Sequence, residues 1–278
     1  MIEIKKLIST KRFYYENNSI VMKEEKYTEP SRSPFQKDYD RVIFSNAFRR
    51  LSKKTQVHPL SKNDHVHNRM THSLETASVG RSLGMKAGEF LLKESQLPYT
   101  PYDIANIIQT ACLAHDIGNP PFGHAGEEVI KEWFKQCDTK YLDRLSSEEK
   151  NDFLSLDGNA QSLRIVSKIE HNIHVGMGLT FTTLATLVKY PWSASSIQNT
   201  KEKFSYFQSE SKSIEAVFEE LGLIQDGNMR RHPFSYLMEM ADDICYGLLD
   251  IQDAVELHIL KLEELESTFV MLCGKSDW

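Results

Sequence analysis

The dipeptide His115-Asp116 places an imidazole and a carboxylate side by side at the inner end of a predicted apolar helix. The apolar residues before it recur at helical spacing, and His115 occupies the next position on the same face. A buried charge needs a counter-charge or a metal, and this pair of groups suits a divalent cation. The dipeptide therefore predicts part of a metal site.

Two further segments contain side chains that suit such a site. A late segment has Asp242, Tyr246 and Asp250 at four-residue spacing on a predicted helix, with no basic residue among them. This pattern favours the wall of a polar cavity, and an acidic solvent-exposed face is the alternative. His72 begins another predicted helix, with Arg69 one turn earlier. An isolated histidine at a helix start is more often structural than a ligand, so His72 alone indicates little.

The helix that must position the dipeptide has clear boundary signals. Thr100 is a capping residue, Pro101 suits the first turn, and Asp103 places a negative charge near the positive end of the helix. The run Gly118-Asn119-Pro120-Pro121 ends the helix directly after the dipeptide. The proposed ligands are therefore expected at the carboxyl end of a buried helix.

Helical patterns dominate the chain, which predicts an all-α (mostly α) single domain with short polar loop excursions. Residues 1–30 are expected to form an N-terminal arm or a short hairpin, and residues 193–213 a surface loop. Helices are predicted over residues 38–51, 72–93, 101–116, 126–137, 159–174, 233–252 and 255–272. On the late helix, an apolar stripe is expected to face the core and consists of Ala241, Ile244, Leu248, Ile251 and Val255.

Composition limits the possible function classes. The chain has 278 residues and a formal net charge of −6, which argues against nucleic-acid binding through overall basicity. The basic cluster at 49–54 still leaves local binding of a single-stranded nucleic acid open. The four cysteines are scattered, which is typical of reduced thiols in the cytoplasm. Without a long apolar run or a signal-peptide core, we expect a cytoplasmic protein with no membrane association.

Taken together, His72, His115-Asp116 and Asp242 form an H…HD…D series on three separate predicted helices. This series resembles the signature of the HD-domain metal-dependent phosphohydrolases. From roughly Arg32 to Asp253 the chain also resembles the deoxyguanosinetriphosphate triphosphohydrolase (dGTPase) family. The motifs that carry this second resemblance are Phe48-Arg49-Arg50-Leu51, Lys54-Thr55-Gln56-Val57, 69–75, 115–127, Gly158-Asn159-Ala160-Gln161, 187–192 and 241–246.

The resemblance implies an HD-domain helical bundle that spans residues 1–278 as one domain, with its motif-bearing core at about 32–253. It also implies that the C-terminal region is short relative to the family. One divalent metal ion per subunit is expected, with His72, His115, Asp116 and Asp242 as ligands. Asp242 is chosen over Asp243 because the family pattern has a tyrosine four residues and an aspartate eight residues after the ligand. The ligand types do not distinguish Mn, Mg, Fe, Ni, Co and Zn.

The resemblance also assigns residues to catalysis and to substrate binding. His124 and Glu127 match the catalytic pair, and their three-residue spacing on a first helical turn lets Glu127 orient His124. The positions that match contacts to the base, sugar and phosphates are Gln56, Arg50, Leu51, Arg69, Lys189, Tyr246 and Asp250. Of these, the two cations Arg69 and Lys189 match phosphate-contacting positions.

The implied activity is hydrolysis of dGTP, and of other dNTPs as further candidates, at the α-phosphorus. The products are a deoxynucleoside and inorganic triphosphate, and a homo-oligomer is expected. The alternatives are another HD-domain enzyme (a 5′-nucleotidase or a phosphodiesterase) and a non-catalytic nucleotide-sensing subunit. The triphosphohydrolase is favoured by residues that metal binding alone does not need, namely Gln56, the His124-Glu127 pair and the Tyr246/Asp250 pair.

Overall fold

The computed structural model describes residues 4–16, 19–26, 32–93, 97–170, 175–196 and 203–273. Most of these residues are helical, which confirms the predicted fold class. The strands form two antiparallel hairpins: β1 (Lys11–Glu16) with β2 (Ser19–Glu24), and β3 (Ile224–Gln225) with β4 (Asn228–Met229). The helices are α1 (Pro34–Ile43), α2 (Asn46–Arg50), α3 (Arg69–Leu92), α4 (Pro101–Ala114), α5 (Gly123–Gln136), α6 (Ser147–Leu154), α7 (Gly158–Arg164), α8 (Phe181–Leu187), α9 (Ser211–Glu220), α10 (Pro233–Glu256) and α11 (Leu262–Cys273).

Helix α4 lies in the core and positions His115 directly after its last residue, Ala114. Its start is confirmed as a capping box. The Thr100 hydroxyl accepts a hydrogen bond from the Asp103 backbone N–H at 3.3 Å, and the Asp103 carboxylate accepts one from the Thr100 N–H at 2.9 Å. Ile107 and the other apolar residues that precede the dipeptide on the same face of this helix are fully buried. The cap and the buried stripe together determine where the dipeptide lies.

A stripe of glycines on α3 allows close packing against α4. Gly80, Gly84 and Gly88 lie at four-residue spacing, and a Cβ atom added to Gly84 would lie 2.7 Å from the Cα of Ala105 on α4. The contacts pair the end of α3 with the start of α4, so the two helices are antiparallel. This arrangement brings the first turn of α3, with His72, beside the last turn of α4.

We expect Gly84→Ala to lower the free energy of unfolding by about 1–3 kcal/mol, because the α4 backbone leaves no room for the added methyl group. Gly247→Ala is the matched control on α10, since a Cβ atom there would meet nothing within 4 Å. The control should be neutral or stabilise by up to about 1 kcal/mol. Urea denaturation followed by circular dichroism measures both changes. An unaltered urea midpoint in Gly84→Ala would show that the two helices are not closely packed.

Three predicted helices differ clearly from those observed. The helix expected over 255–272 is observed only from Leu262, because α10 ends at Glu256 and His258 has a left-handed φ of 58°. The helix expected over 38–51 is divided into α1 and α2, because the Ser45 hydroxyl accepts from the Phe48 N–H at 3.1 Å and starts a new helix. The helix expected over 159–174 is α7, followed by a π-helical segment at Ile165–Ile169. Residues 171–174 lie outside the described residues.

The N-terminal segment contains the hairpin β1/β2, which was one of its two predicted forms. The guanidinium of Arg12 on β1 is fully buried and pairs with the carboxylates of Asp38 and Glu25. It also donates to the carbonyl of Pro34 at 2.6 Å. These charge-assisted hydrogen bonds attach the hairpin to the start of α1.

The prediction of a surface loop over 193–213 is wrong for its second half. Phe204 and Phe207 are buried and form a small second core with Ala160. The serine-rich composition obscured these aromatic residues, and the loop runs into α9 at Ser211. Residues 197–202 lie outside the described residues.

The apolar stripe predicted on the late helix is buried only in part. Ala241 is buried, but Ile244 and Leu248 are 41% and 55% exposed, so that expectation is wrong for both. Helices α3, α4 and α8 pack against α10, and the side chains of Ile244 and Leu248 lie outside these contacts. Among the described residues, no helix has the length and apolar character needed to cross a membrane.

Candidate metal and active site

Helices α3, α4 and α10 bring His72, His115 and Asp242 to one cavity of about 480 Å³. The Oδ1 atom of Asp242 lies 3.1 Å from Nε2 of His72 and 3.4 Å from Nε2 of His115. One potential ligand atom from each residue lies within 4.8 Å of the others. Two imidazoles and a carboxylate at this spacing can hold a divalent cation.

Asp116 lies beside this cluster, with its Oδ1 atom 3.5 Å from Nε2 of His115. Its carboxylate also accepts hydrogen bonds from the Arg69 guanidinium and the Asn119 side-chain amide. Burial alone would raise the pKa of Asp116, but the charges of His115 and Arg69 hold it below its usual value. Asp116 is therefore an ionised group at the edge of the cluster, where the sequence predicted a fourth ligand.

The hydrogen bonds of His115 leave Nε2 available to a cation. Its Nδ1 lies 2.6 Å from the Cys112 carbonyl oxygen, which can only accept, so Nδ1 carries the proton. Burial would lower the pKa of His115, but the carboxylates of Asp116 and Asp242 raise it to about 9. These carboxylates thus stabilise positive charge beside Nε2, which is the charge that a bound metal supplies. The donor set fits a metal ion.

Asp242 is further paired with Lys189, whose Nζ lies 3.2 Å from Oδ2. Burial opposes ionisation of Asp242, yet His115, His72 and Lys189 hold its pKa well below its usual range. For Lys189, burial lowers the pKa, and the Asp242 carboxylate more than compensates and raises it. Lys189 is therefore a cation in the wall of the cavity.

His124 and Glu127 form a second hydrogen-bonded pair on the first turns of α5. Nδ1 of His124 lies 2.8 Å from Oε2 of Glu127, while Oε1 of Glu127 accepts from the Gly158 N–H at 2.8 Å. Glu127 is buried and the His124 side chain is 79% exposed. The buried carboxylate thus orients an imidazole whose other nitrogen is left for the cavity, as the three-residue spacing predicts.

Arg69 reaches the cavity because Gly123 has no side chain. Gly123 has a φ of +55°, and a Cβ atom there would lie 2.6 Å from Nη2 of Arg69. The preceding Phe122 is also left-handed, with a φ of 64°, although it is not a glycine. Such backbone strain is found at ligand-binding loops, and Phe122 lies on the wall of this cavity.

The seven predicted substrate-binding residues do not all lie in this cavity. Those that line it are Gln56, Arg69, Lys189 and Tyr246. Gln56 is notable because its buried Oε1 atom has no hydrogen-bond partner among the described residues. An acceptor in this state suits a ligand donor such as a sugar hydroxyl or a base amino group.

The other three predicted residues lie elsewhere in the described part of the chain. Arg50 lines a neighbouring cavity of about 390 Å³, and Leu51 is fully buried in the hydrophobic core. Asp250 does not line the main cavity, but Tyr246, which does, lies close enough to its carboxylate to favour the ionised form. Contact of these residues with a substrate stays a prediction.

The cavity also contains polar residues to which the sequence assigned no role. Asn119 and Asn159 lie within motifs that identified the family, so their positions in the cavity could have been anticipated. Lys203 belongs to no such motif, and its Nζ lies 3.8 Å from Oε2 of Glu127 and 3.7 Å from Oδ2 of Asp157. It adds a third cation to the cavity.

Comparison with known proteins agrees with this arrangement. Residues 69–190 match the HD domain family model, and this range includes all the candidate ligands except Asp242. The chain is 51% identical over 253 residues to a deoxyguanosinetriphosphate triphosphohydrolase-like protein of Pseudomonas aeruginosa, covering 88% of this chain. The chain belongs to the dGTPase family of HD-domain proteins. The sequence resemblance is thereby confirmed.

Two other members of the dGTPase family show the same pattern of coverage. Identity is 42% with the triphosphohydrolase-like protein of Synechocystis and 37% with the deoxyguanosinetriphosphate triphosphohydrolase of an Enterobacter species, over 82% and 83% of this chain. The matched region covers 57%, 56% and 52% of the Pseudomonas, Synechocystis and Enterobacter proteins. The chain thus spans little more than half the length of these relatives.

Proposed function

We propose that this protein is a metal-dependent dNTP triphosphohydrolase that converts dGTP, and other dNTPs, into a deoxynucleoside and inorganic triphosphate. The observation that carries the proposal is one cavity lined both by the His72-His115-Asp242 cluster and by His124, whose Nδ1 lies 2.8 Å from the buried carboxylate of Glu127. A metal cluster alone would suit many HD-domain enzymes, and the oriented histidine adds a proton-transfer group beside it. The dGTP preference, a homo-oligomeric state and a cytoplasmic location come from the family resemblance.

His72, His115, Asp116 and Asp242 would hold the divalent ion, which polarises a phosphate or a water molecule when bound. The ionised state of both aspartates and the protonated Nδ1 of His115 suit this role. The proposal assigns one divalent ion to each subunit.

The cations Arg69 and Lys189 would bind the triphosphate of the substrate. Negative charge develops on the leaving oxygen and persists on the non-bridging oxygens during attack at the α-phosphorus. Fixed cations in a partly enclosed cavity stabilise that charge without reorganising during the reaction. Both side chains are anchored, since Arg69 pairs with Asp116 and Lys189 with Asp242.

His124 would transfer the proton, and Glu127 would keep its imidazole in one orientation. Glu127 is itself held by the Gly158 N–H and buried, so it retains its position during turnover. The carboxylate at Nδ1 fixes the tautomer and leaves the other ring nitrogen as the atom that can exchange a proton with the substrate. In the same cavity, Tyr246 and Gln56 would contact the deoxynucleoside.

The proposal predicts inorganic triphosphate as the phosphorus product when the metal-loaded protein is incubated with dGTP. We expect the rate to be much lower with GTP, because an aromatic ring packed under the sugar disfavours a 2′-hydroxyl. Phosphorus NMR identifies the product directly, and a chelator-treated sample is the control.

Other products would contradict the proposal in distinguishable ways. Release of phosphate from dGMP would favour the 5′-nucleotidase alternative, and opening of a cyclic nucleotide would favour the phosphodiesterase. Binding of dGTP without any product would favour the nucleotide-sensing alternative for this chain.

A further inference from the structure

His67 is a buried histidine that the proposed reaction does not use. It precedes α3, and its ring lies between two carboxylates from different helices. Nδ1 lies 2.7 Å from Oδ1 of Asp253, and Nε2 lies 3.1 Å from Oε2 of Glu75. Because both ring nitrogens face acceptors, both carry a proton, and the ring is an imidazolium.

Asp253 on α10 depends on His67 for its hydrogen bonds. It is 1% exposed, and each of its carboxylate oxygens also accepts from the His67 backbone N–H at 3.2 Å. No other cation pairs with Asp253 among the residues that the structure describes. A carboxylate buried to this extent needs a counter-charge, so the pair must stay together in the folded protein.

The two carboxylates belong to the helices that carry the candidate metal ligands. Glu75 follows His72 on α3, and Asp253 follows Asp242 on α10. His67 thus joins α3 to α10 through Glu75, about one turn from His72, and Asp253, about three turns beyond Asp242. The side-chain bond between His72 and Asp242 is the corresponding link within the cluster.

The backbone of His67 also holds the segment that presents Gln56. The His67 carbonyl accepts from the Gln56 N–H at 3.4 Å, and Thr55 pairs with Asn68 in an isolated β-bridge. These bonds close the loop over residues 57–66 at its base. Gln56 and Arg69, which both line the cavity, therefore lie on either side of the His67 contacts.

We propose that His67 is a positioning residue whose imidazolium holds α3, α10 and the Gln56 segment in the arrangement that binds the nucleotide. Its effect on turnover rests on the proposed dNTP hydrolysis, whereas its effect on the loop does not. Removal of the imidazolium should loosen the loop first and weaken substrate binding as a result. The chemical step should change much less, because no group of the His124-Glu127 pair contacts His67 among the described residues.

The link between the helices should weaken at high pH. Burial alone would lower the pKa of His67, but the hydrogen bonds and charges of Asp253 and Glu75 raise it above its usual value. A histidine whose pKa is raised by folding stabilises the structure below its unfolded pKa, and this contribution is lost as the pH rises through the folded value. The other charged groups near the pair are Asp250, His65 and Glu256.

Hydrogen exchange on the full chain tests the structural part of the proposal. In His67→Gln, the amides of residues 56–68 should exchange at least about tenfold faster than in the unaltered protein. His65→Gln is the matched control in the same loop, since His65 is largely exposed and lies 3.6 Å from Glu256. In this control, the same amides should exchange within about twofold of their rate in the unaltered protein. Unchanged protection of the loop in His67→Gln would overturn the proposal.

Kinetics with dGTP test the functional part. His67→Gln should raise KM about tenfold and change kcat less than about threefold. Asp253→Asn should also raise KM, and this increase should be larger at pH 6 than at pH 9. If kcat falls equally in both variants, and circular dichroism shows that the folded fraction falls by the same factor, the role of His67 is purely structural and the proposal is overturned. If the unaltered protein hydrolyses no dNTP, the proposed function fails, and hydrogen exchange still decides the role of His67.

Discussion

Replacing Asp242 with alanine should strongly weaken both metal binding and turnover, whereas Asp243→Ala should leave metal binding intact. Only Asp242 lies between the two histidines, at 3.1 Å from His72 and 3.4 Å from His115. Asp243 is the next residue on α10 and is exposed, and within the described residues its carboxylate contacts neither histidine. Loss of a carboxylate ligand should weaken binding of the ion on the order of a thousandfold.

Calorimetric titration with Mn²⁺ measures the metal affinity of both variants. Asp242→Ala leaves the partly buried Lys189 without its partner, which costs about 1–3 kcal/mol of unfolding free energy. Thermal unfolding must therefore accompany the titration, so that lost binding is not confused with lost structure. Asp242→Asn, which keeps the volume and one acceptor, provides a second test. If Asp243→Ala loses the metal instead, the assignment from the tyrosine and aspartate spacing is wrong.

The His115-Asp116 part of the metal cluster could be anticipated from sequence because it lies next to strong local signals. The capping box at Thr100 and the turn at Gly118 locate the end of α4, and with it His115. Glu127 could be assigned to His124 because a three-residue spacing is sufficient on a first helical turn. In each case the chemistry depends on neighbours in the chain, which a sequence displays directly.

The remaining parts of the site depend on contacts between distant segments. No local pattern pairs His67 with Asp253, because Asp253 lies on another helix, far along the chain. Lys203 lies near Glu127 although the two residues are far apart in the chain, and no motif includes Lys203. Leu51 is the reverse case, since a motif matches it to a substrate-lining position and the structure shows its side chain buried in the core. Local sequence predicts residue types well, but pairings of this kind require the fold.

The exposed apolar side chains of α10 illustrate a further limit. Periodicity correctly predicts a helix with an apolar stripe, but it does not show which part of the stripe is covered. Ala241 packs against neighbouring helices, while Ile244 and Leu248 lie outside those contacts. Helical spacing therefore predicted the helix face on which Asp242 and Tyr246 lie more reliably than it predicted the burial of the apolar stripe beside them.

His124→Ala should remove catalysis while leaving the metal cluster intact. Its imidazole is the exposed member of a pair whose carboxylate is buried, and it makes no contact with the His72-His115-Asp242 cluster among the described residues. Loss of general acid-base catalysis should lower kcat for dGTP by about 10²–10⁴-fold, with little change in the affinity for Mn²⁺. Asp242→Ala, by contrast, should lose both properties. Parallel titration and phosphorus NMR therefore separate the two roles within one cavity.

Glu127→Gln sharpens this separation, because Glu127 acts through His124. A glutamine can still accept from the Gly158 N–H, so the fold should persist, but the carboxylate that orients the imidazole is lost. We expect kcat to fall by roughly 10–100-fold, less than for His124→Ala. Glu128→Gln is the matched control, since its side chain is 68% exposed and pairs only with Lys131 among the described residues. If His124→Ala retains turnover within about threefold of the unaltered protein, proton transfer must come from another group.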